Sequence, residues 1–278
     1  MAFSQGRFKE IIRENGSIFK NREVFTMEYL PEVYKYRDKQ LEKMAYFSKN
    51  ISDGLAPHHM LLLGTYATGK TSTVSRYFQL LNENYSGLVE CVHMNCQFMD
   101  TAYKILAETY SHLSQFPTIK TGIATTTIFE RIIKELKNKD KILIIALDDY
   151  NYIKTPKELN SLLNKLLRAH EQYPNIRISV FLITNKEEYF AFNPDVVTIL
   201  DPVTVSFDPY SYSQTFHILK QRCHAGFIKG TVSKEVLTMV TDYTRDQGDL
   251  RDGIHMLSHA GEKAEILGLS EITENCLF

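Results

Sequence analysis

The sequence has no apolar run that could cross a bilayer: its main ones, Ile142 to Leu147 and Val180 to Ile183, fall far short of the roughly 20 residues a membrane helix needs. That excludes a helical span. The N-terminus carries charges where a secretory leader would hold its apolar stretch, so a cytoplasmic protein is expected. Charge of one sign is also lacking. The formal net charge is −1, whereas a dedicated DNA-binding domain usually shows a clear basic excess. Basic residues outnumber acidic ones over residues 1–50, which reads as a solvated helix face, and acidic residues prevail over 241–278, which argues against phosphate contacts there. Four cysteines occur without a C-x-x-C pair or metal-ligand spacing. Buried, reduced thiols are expected, not a disulfide framework or a zinc site. No repeat or low-complexity stretch is present, and 44% apolar residues over 278 positions suffice for a proper core.

What is present is a phosphate-binding loop. Gly64-Thr65-Tyr66-Ala67-Thr68-Gly69-Lys70-Thr71 fits G-x-x-x-x-G-K-[ST], a pattern in which glycines let backbone N–H groups face the phosphates of a nucleoside triphosphate. Lys70 would meet the β and γ phosphates, and the Thr71 hydroxyl would join the Mg2+ shell, with Ser72 next in the helix. The context is right for this. His59 to Leu63 reads as a buried strand running into the loop, and Val74, Tyr77, Phe78 and Leu81 follow at helical spacing.

Strand and helix signals then alternate in the manner of a parallel sheet. Strands are expected at Leu88 to Met94, Lys141 to Leu147, Ile176 to Ile183 and Val203 to Phe207, with helices at Thr101 to Leu113 and Thr125 to Leu136. Thr155-Pro156-Lys157-Glu158 reads as a capping box ahead of a leucine stripe. After Asp208-Pro209 only amphipathic helices remain: Ser211 to Cys223, Ser233 to Thr244 and Asp249 to Leu267. The expected fold is an α/β P-loop parallel sheet flanked by helices over residues 1–208, followed by a small all-helical domain over 209–278.

A P-loop needs an acidic partner on a neighbouring buried strand to hold Mg2+. Asp148, ending Ile142-Leu143-Ile144-Ile145-Ala146-Leu147-Asp148-Asp149, is that candidate. The arrangement resembles AAA+ ATPases. In them the second acid is a glutamate that activates water; here it is Asp149, one methylene shorter, and a misplacement of about 1 Å can cost on the order of a hundredfold in rate. Slow or assisted hydrolysis is the expectation. The resemblance also implies Asn185, after Leu182-Ile183-Thr184, as the sensor 1 residue, and Arg251 of Gly248-Asp249-Leu250-Arg251-Asp252-Gly253 as the sensor 2 arginine of a lid helix.

From Ile18 nearly to its end the chain resembles the archaeal origin-recognition and cell-division-control replication initiators. Ile18-Phe19-Lys20-Asn21 and Tyr29-Leu30-Pro31-Glu32-Val33-Tyr34-Lys35-Tyr36-Arg37-Asp38 look like that family's adenine-wrapping segment, placed within residues 1–50. This implies Tyr29, Pro31 and Arg37 as adenine contacts. Asn95-Cys96, residues 117–130 and Asp148-Asp149-Tyr150-Asn151-Tyr152 also look like archaeal members. In initiators the segment corresponding to 117–130 touches duplex DNA, and the resemblance implies other initiator subunits or a replicative helicase as partners, ATP or ADP and Mg2+ as ligands, and no membrane. Three departures stand out. The family's arginine finger position, in Phe192-Asn193-Pro194-Asp195-Val196, is held by Asp195; the catalytic glutamate is Asp149; and the sequence ends at Phe278, short of a winged-helix domain, as in a shortened paralogue or a truncated chain. Three readings follow: an ATP-binding initiator switch, an AAA+ remodelling ATPase, and a nucleotide-binding protein-interaction module without a DNA role.

Overall fold

In the computed structural model, which describes residues 17–27, 29–31, 34–114, 122–185 and 192–277, five short segments pair into one parallel sheet. They are β1 (Met60–Leu63), β2 (Val89–Asn95), β3 (Ile142–Asp148), β4 (Arg177–Thr184) and β5 (Val203–Ser206), in the spatial order β2-β3-β4-β1-β5. All residues of β3 are buried. Because successive side chains of a strand point to opposite faces, its run of apolar residues serves two cores. Leu143, Ile145 and Leu147 belong to one, and Ile142, Ile144 and Ala146 to the other.

Helices cover both faces, as a parallel sheet requires. In the α/β unit they are α1 (Asp38–Tyr46), α2 (Lys70–Tyr85), α3 (Ala102–Ser114), α4 (Thr125–Lys139), α5 (Pro156–Leu167), α6 (Ala169–Gln172) and α7 (Pro194–Leu200). Met44 of α1 with Val74 and Phe78 of α2 fill one core. The other takes Ile105 of α3, Ile128 and Ile132 of α4, and Leu159 and Leu163 of α5. The expected capping box at α5 is half made. Thr155 accepts from the Glu158 N–H at 3.1 Å, but the Glu158 carboxylate accepts the Ala102 N–H at 2.9 Å and so caps α3 instead.

The second unit contains α8 (Tyr212–Gly226), α9 (Lys234–Gln247), α10 (Leu250–Ile266) and α11 (Glu274–Leu277). Ser211, Ser233 and Asp249 are the N-caps of the three long helices, and Gly248, at φ 77°, ends α9. The first unit runs from Tyr36 to Pro209. The described residues between 17 and 35 join the helical unit, whereas the sequence pattern places them with the α/β domain. The cause is aromatic packing. Phe19 and Phe25 lie 4.8 and 4.7 Å, ring to ring, from Phe227, and the Lys20 N–H donates to the Gly226 carbonyl at 2.7 Å. Gly226 leaves room for the Phe25 ring and Gly261 for the Phe19 ring.

The four cysteines are buried and free, and burial pushes Cys91, Cys96 and Cys223 up to about 12. Among the described residues no helix is long and apolar enough to cross a membrane.

His59, just before β1, accepts the Val180 N–H on Nδ1 at 3.0 Å. Burial, helped by His58 and His170, lowers its pKa from 6.5 to about 4. Between those values the unfolded chain binds more protons than the folded one, so stability rises with pH and is lost as pH falls through this window. By pH 5 the loss amounts to about 2 kcal/mol. Replacing His59→Asn, which keeps an acceptor, should flatten the difference in chemical-denaturation midpoint between pH 7 and pH 5 by that share; an undiminished difference would refute the assignment.

Candidate functional site

β1 stops at Leu63 and α2 begins at Lys70, so the loop between them sits at the carboxyl end of an interior strand. Its glycines have separate reasons. A Cβ on Gly64 would stand 2.8 Å from the Phe207 Cβ and closer still to the Phe207 carbonyl oxygen. Gly69, at φ 82°, turns the chain into the helix through the left-handed region that glycine enters without penalty. Ala67 occupies that region too, at φ 55°. A non-glycine there costs about 1–2 kcal/mol, and the loop's own bonds hold it. Thr68 Oγ1 donates to the Thr65 carbonyl at 2.9 Å, while the Lys70 ammonium donates to the carbonyls of Gly64 and Thr65 at 2.8 and 2.7 Å.

Arg37 has a role the sequence reading did not assign. Its side chain is buried, Nε donates to the Thr68 carbonyl at 2.8 Å, and Nη2 donates to the Asp208 carbonyl at 2.8 Å. It braces the loop to the end of the α/β unit.

Pairing register brings the other groups to the same end. Leu63 lies opposite Thr184, and Asp148 opposite Ile183, so Gly64, Asp149 and Asn185 all emerge where three neighbouring strands finish. Open α/β sheets bind their ligands in this position. Asp148 is 4% exposed. Its Oδ2 accepts the Thr71 hydroxyl at 2.6 Å and lies 3.2 Å from His93 Nε2. On the other side of that ring, Nδ1 is 3.4 Å from Ser75 Oγ. A hydroxyl and a carboxylate oxygen in contact are a donor set suited to Mg2+, which takes oxygen ligands.

Asp149 adopts φ 53°, which a short polar residue tolerates, and its Oδ2 accepts from Gln97 Nε2 at 2.7 Å. Asn185 is the one active-end residue whose side-chain oxygen and nitrogen are both buried without a hydrogen-bond partner among the described residues. Leaving such groups unpaired costs about 1–3 kcal/mol each. The site therefore fits a polar ligand that would satisfy them. Beside it, the Thr184 hydroxyl donates to Asn151 Oδ1 at 3.1 Å.

Tyr29, Pro31 and Arg251 belong to the helical unit. The Arg251 guanidinium lies on Asp249, the cap of its own helix, with Nε 3.1 Å from each carboxylate oxygen and Nη2 2.8 Å from Oδ2. Arg222 covers the Tyr29 ring at 4.7 Å and donates to the Tyr29 carbonyl at 3.2 Å. Asp195, at the position the resemblance gives to an arginine finger, sits in the first turn of α7 and accepts from Asn164 Nδ2 at 3.1 Å. Of the segment 117–130, residues 117–121 lie outside the described residues. Its remainder leads into α4, with Ile128 and Phe129 in the core. His93 and Gln97 carry no motif of their own, since only the register of β2 on β3 brings them to Asp148 and Asp149, and Asn151, within the family-like 148–152 stretch, meets Thr184 only through the turn after β3.

The chain is 33% identical over 258 residues to ORC1-type DNA replication protein 2 of Methanothermobacter thermautotrophicus, covering 92% of this chain and 68% of that one. It belongs to the ORC1-type DNA replication proteins. A second member, ORC1-type DNA replication protein 2 of Methanosarcina mazei, is 35% identical over 93% of this chain and 69% of its own length. The Cdc6 AAA+ ATPase-type lid domain family matches residues 216–277 of this ORC1-type chain. Among solved structures, the Aeropyrum pernix ORC1 protein in complex with DNA superposes with a TM-score of 0.83 at 25% identity, over 95% of this chain and 69% of that one. The sheet is thus that of the AAA+ ORC1/Cdc6 fold, and the helical unit contains the Cdc6-type lid.

The close approach at Gly64 gives a direct check. Gly64→Ala should lower stability by about 1–3 kcal/mol through overpacking against Phe207, read as a reduced Tm. An unchanged Tm would mean that the loop does not rest on Phe207, just after β5.

Proposed function

We propose that this ORC1-type protein binds ATP or ADP with Mg2+ and uses the bound nucleotide as a switch in replication initiation, at origin recognition or helicase loading. The observation that carries the reading is the Thr71–Asp148 hydrogen bond at the mouth of the Gly64–Gly69 loop. Residues 64–72 would cradle the phosphates, with Lys70 exchanging its carbonyl partners for phosphate oxygens. Thr71 and Asp148 would hold Mg2+, whose chemistry when bound is to neutralise phosphate charge. Asp149 would accept a proton from, or orient, the attacking water, and Asn185 would direct its orphaned amide to the same region. Arg251 would leave Asp249 for the phosphates, and Tyr29 and Pro31 would flank the base. Arg37 would act from behind the loop, through Thr68.

Binding is favoured over turnover. Asp149 is shorter than the usual glutamate, and Asp195 stands where an arginine finger would be worth roughly three to five orders of magnitude in rate. The match to an ORC1 protein solved with DNA supports duplex DNA as a partner, which would be held weakly and through 117–130, and family membership supports other initiator subunits or a helicase.

In calorimetric titration with MgATP, Lys70→Ala should lose binding while the chain stays folded, with a Tm lowered only by loss of its two bonds to the loop carbonyls; retained affinity would overturn the site. A fluorescent duplex should bind the wild-type chain more tightly with ATP than without, and more weakly as salt rises. Failure to bind even at low salt would remove the DNA role.

A further inference from the structure

Away from the phosphate loop, the helical unit contains a cleft of about 740 Å3 between Lys20, α8 and the start of α9. Four lysines line it: Lys20, Lys220, Lys229 and Lys234. No carboxylate does. Among the described residues none of the four ammonium groups lies within 4.0 Å of a carboxylate oxygen, and the nearest acidic influence is Glu235, beside Lys234, whose carboxyl bonds Ser233. This is unusual for a chain of net charge −1 whose last helices are acidic, because like charges gathered in a concave site repel one another and raise the local potential. Between the lysines the lining is mostly apolar, with His224 and Ser233 as its polar members. Phe216, Phe227 and Leu237 contribute to it, and Ile228 stays 54% exposed at its edge. The turn that carries Ile228 and Lys229, both in the lining, passes through Gly230 at φ 97°.

We propose that this cleft is a docking site for an acidic peptide segment of a partner protein, with one aromatic or aliphatic side chain seated among Phe216, Phe227 and Leu237 and flanking carboxylates on the lysines. Complementary charge supplies encounter and register, and an apolar anchor in a desolvated pocket supplies most of the affinity. Duplex DNA fits less well. Its backbone is convex and offers nothing apolar to a recessed floor, and the cleft has no arginine to grip phosphate bidentately. The proposal stands apart from the nucleotide reading, since no residue of residues 64–72 takes part.

The test uses the full chain and a fluorescein-labelled glutamate-rich peptide carrying a single phenylalanine. The same peptide with serine in place of phenylalanine, and a fluorescent DNA duplex, serve as comparisons. Anisotropy titration should show saturable binding of the phenylalanine peptide at low salt, weakened by salt and by loss of the phenylalanine. The double variant K220E/K229E should weaken it by roughly tenfold or more. Ile228→Ser, a change at an exposed position, should weaken it without altering salt dependence. MgATP affinity should stay the same in both variants, which separates this outcome from failure of the nucleotide site or of folding. Absence of peptide binding at low salt, equal binding by K220E/K229E, or loss of duplex binding alone in that variant would overturn the proposal, the last by making the cleft a phosphate-backbone contact.

Discussion

The level finish of β1, β3 and β4 is the constraint on which the site depends. Parallel pairing puts Leu63, Asp148 and Thr184 at neighbouring strand ends, and only then does Thr71, one residue into α2, meet the Asp148 carboxylate. A slip of one residue in β3 would turn Asp148 toward the opposite face. The completely apolar run before it prevents this, because its alternate residues are already shared between two cores.

The loop is held from three sides. Phe207 of the segment after β5 presses on Gly64, Lys70 bonds the carbonyls of Gly64 and Thr65, and Arg37 reaches from before α1 to Thr68 and Asp208. Such support keeps a loop with a non-glycine residue at positive φ in one shape. It also ties the loop to the segment where the α/β unit ends, at Pro209. The aromatic group of Phe19, Phe25 and Phe227 does the corresponding job in the helical unit, anchoring the N-terminal segment there.

Much of this was legible in the sequence. Buried strands announced themselves as apolar runs, helix starts as Ser211, Ser233 and Asp249, and the phosphate loop as a spaced motif. What was hidden depends on partners distant in the chain. Glu158 has the spacing of a capping-box residue, yet it caps a different helix, since sequence shows only the local acceptor. Residues 17–27 gave no sign of which unit they join, because the deciding rings of Phe227 and the gaps at Gly226 and Gly261 lie some 200 positions away. The resemblance implies Arg37 as a ligand contact, but its buried bonds to the Thr68 and Asp208 carbonyls could not be read from the sequence. His93 reaches Asp148 only through the register of β2 on β3.

The proposed switch requires that nucleotide at the loop, on drawing Arg251 away from Asp249, change the relation between the two units. Since the native cysteines are buried, dyes can be placed on exposed Ser86→Cys and Ser270→Cys, one in each unit. Energy transfer between them should differ among the ATP-bound, ADP-bound and nucleotide-free protein, and the ATP-specific shift should vanish in Arg251→Ala while ATP still binds. Identical transfer in all three states of the wild-type chain would contradict the claim.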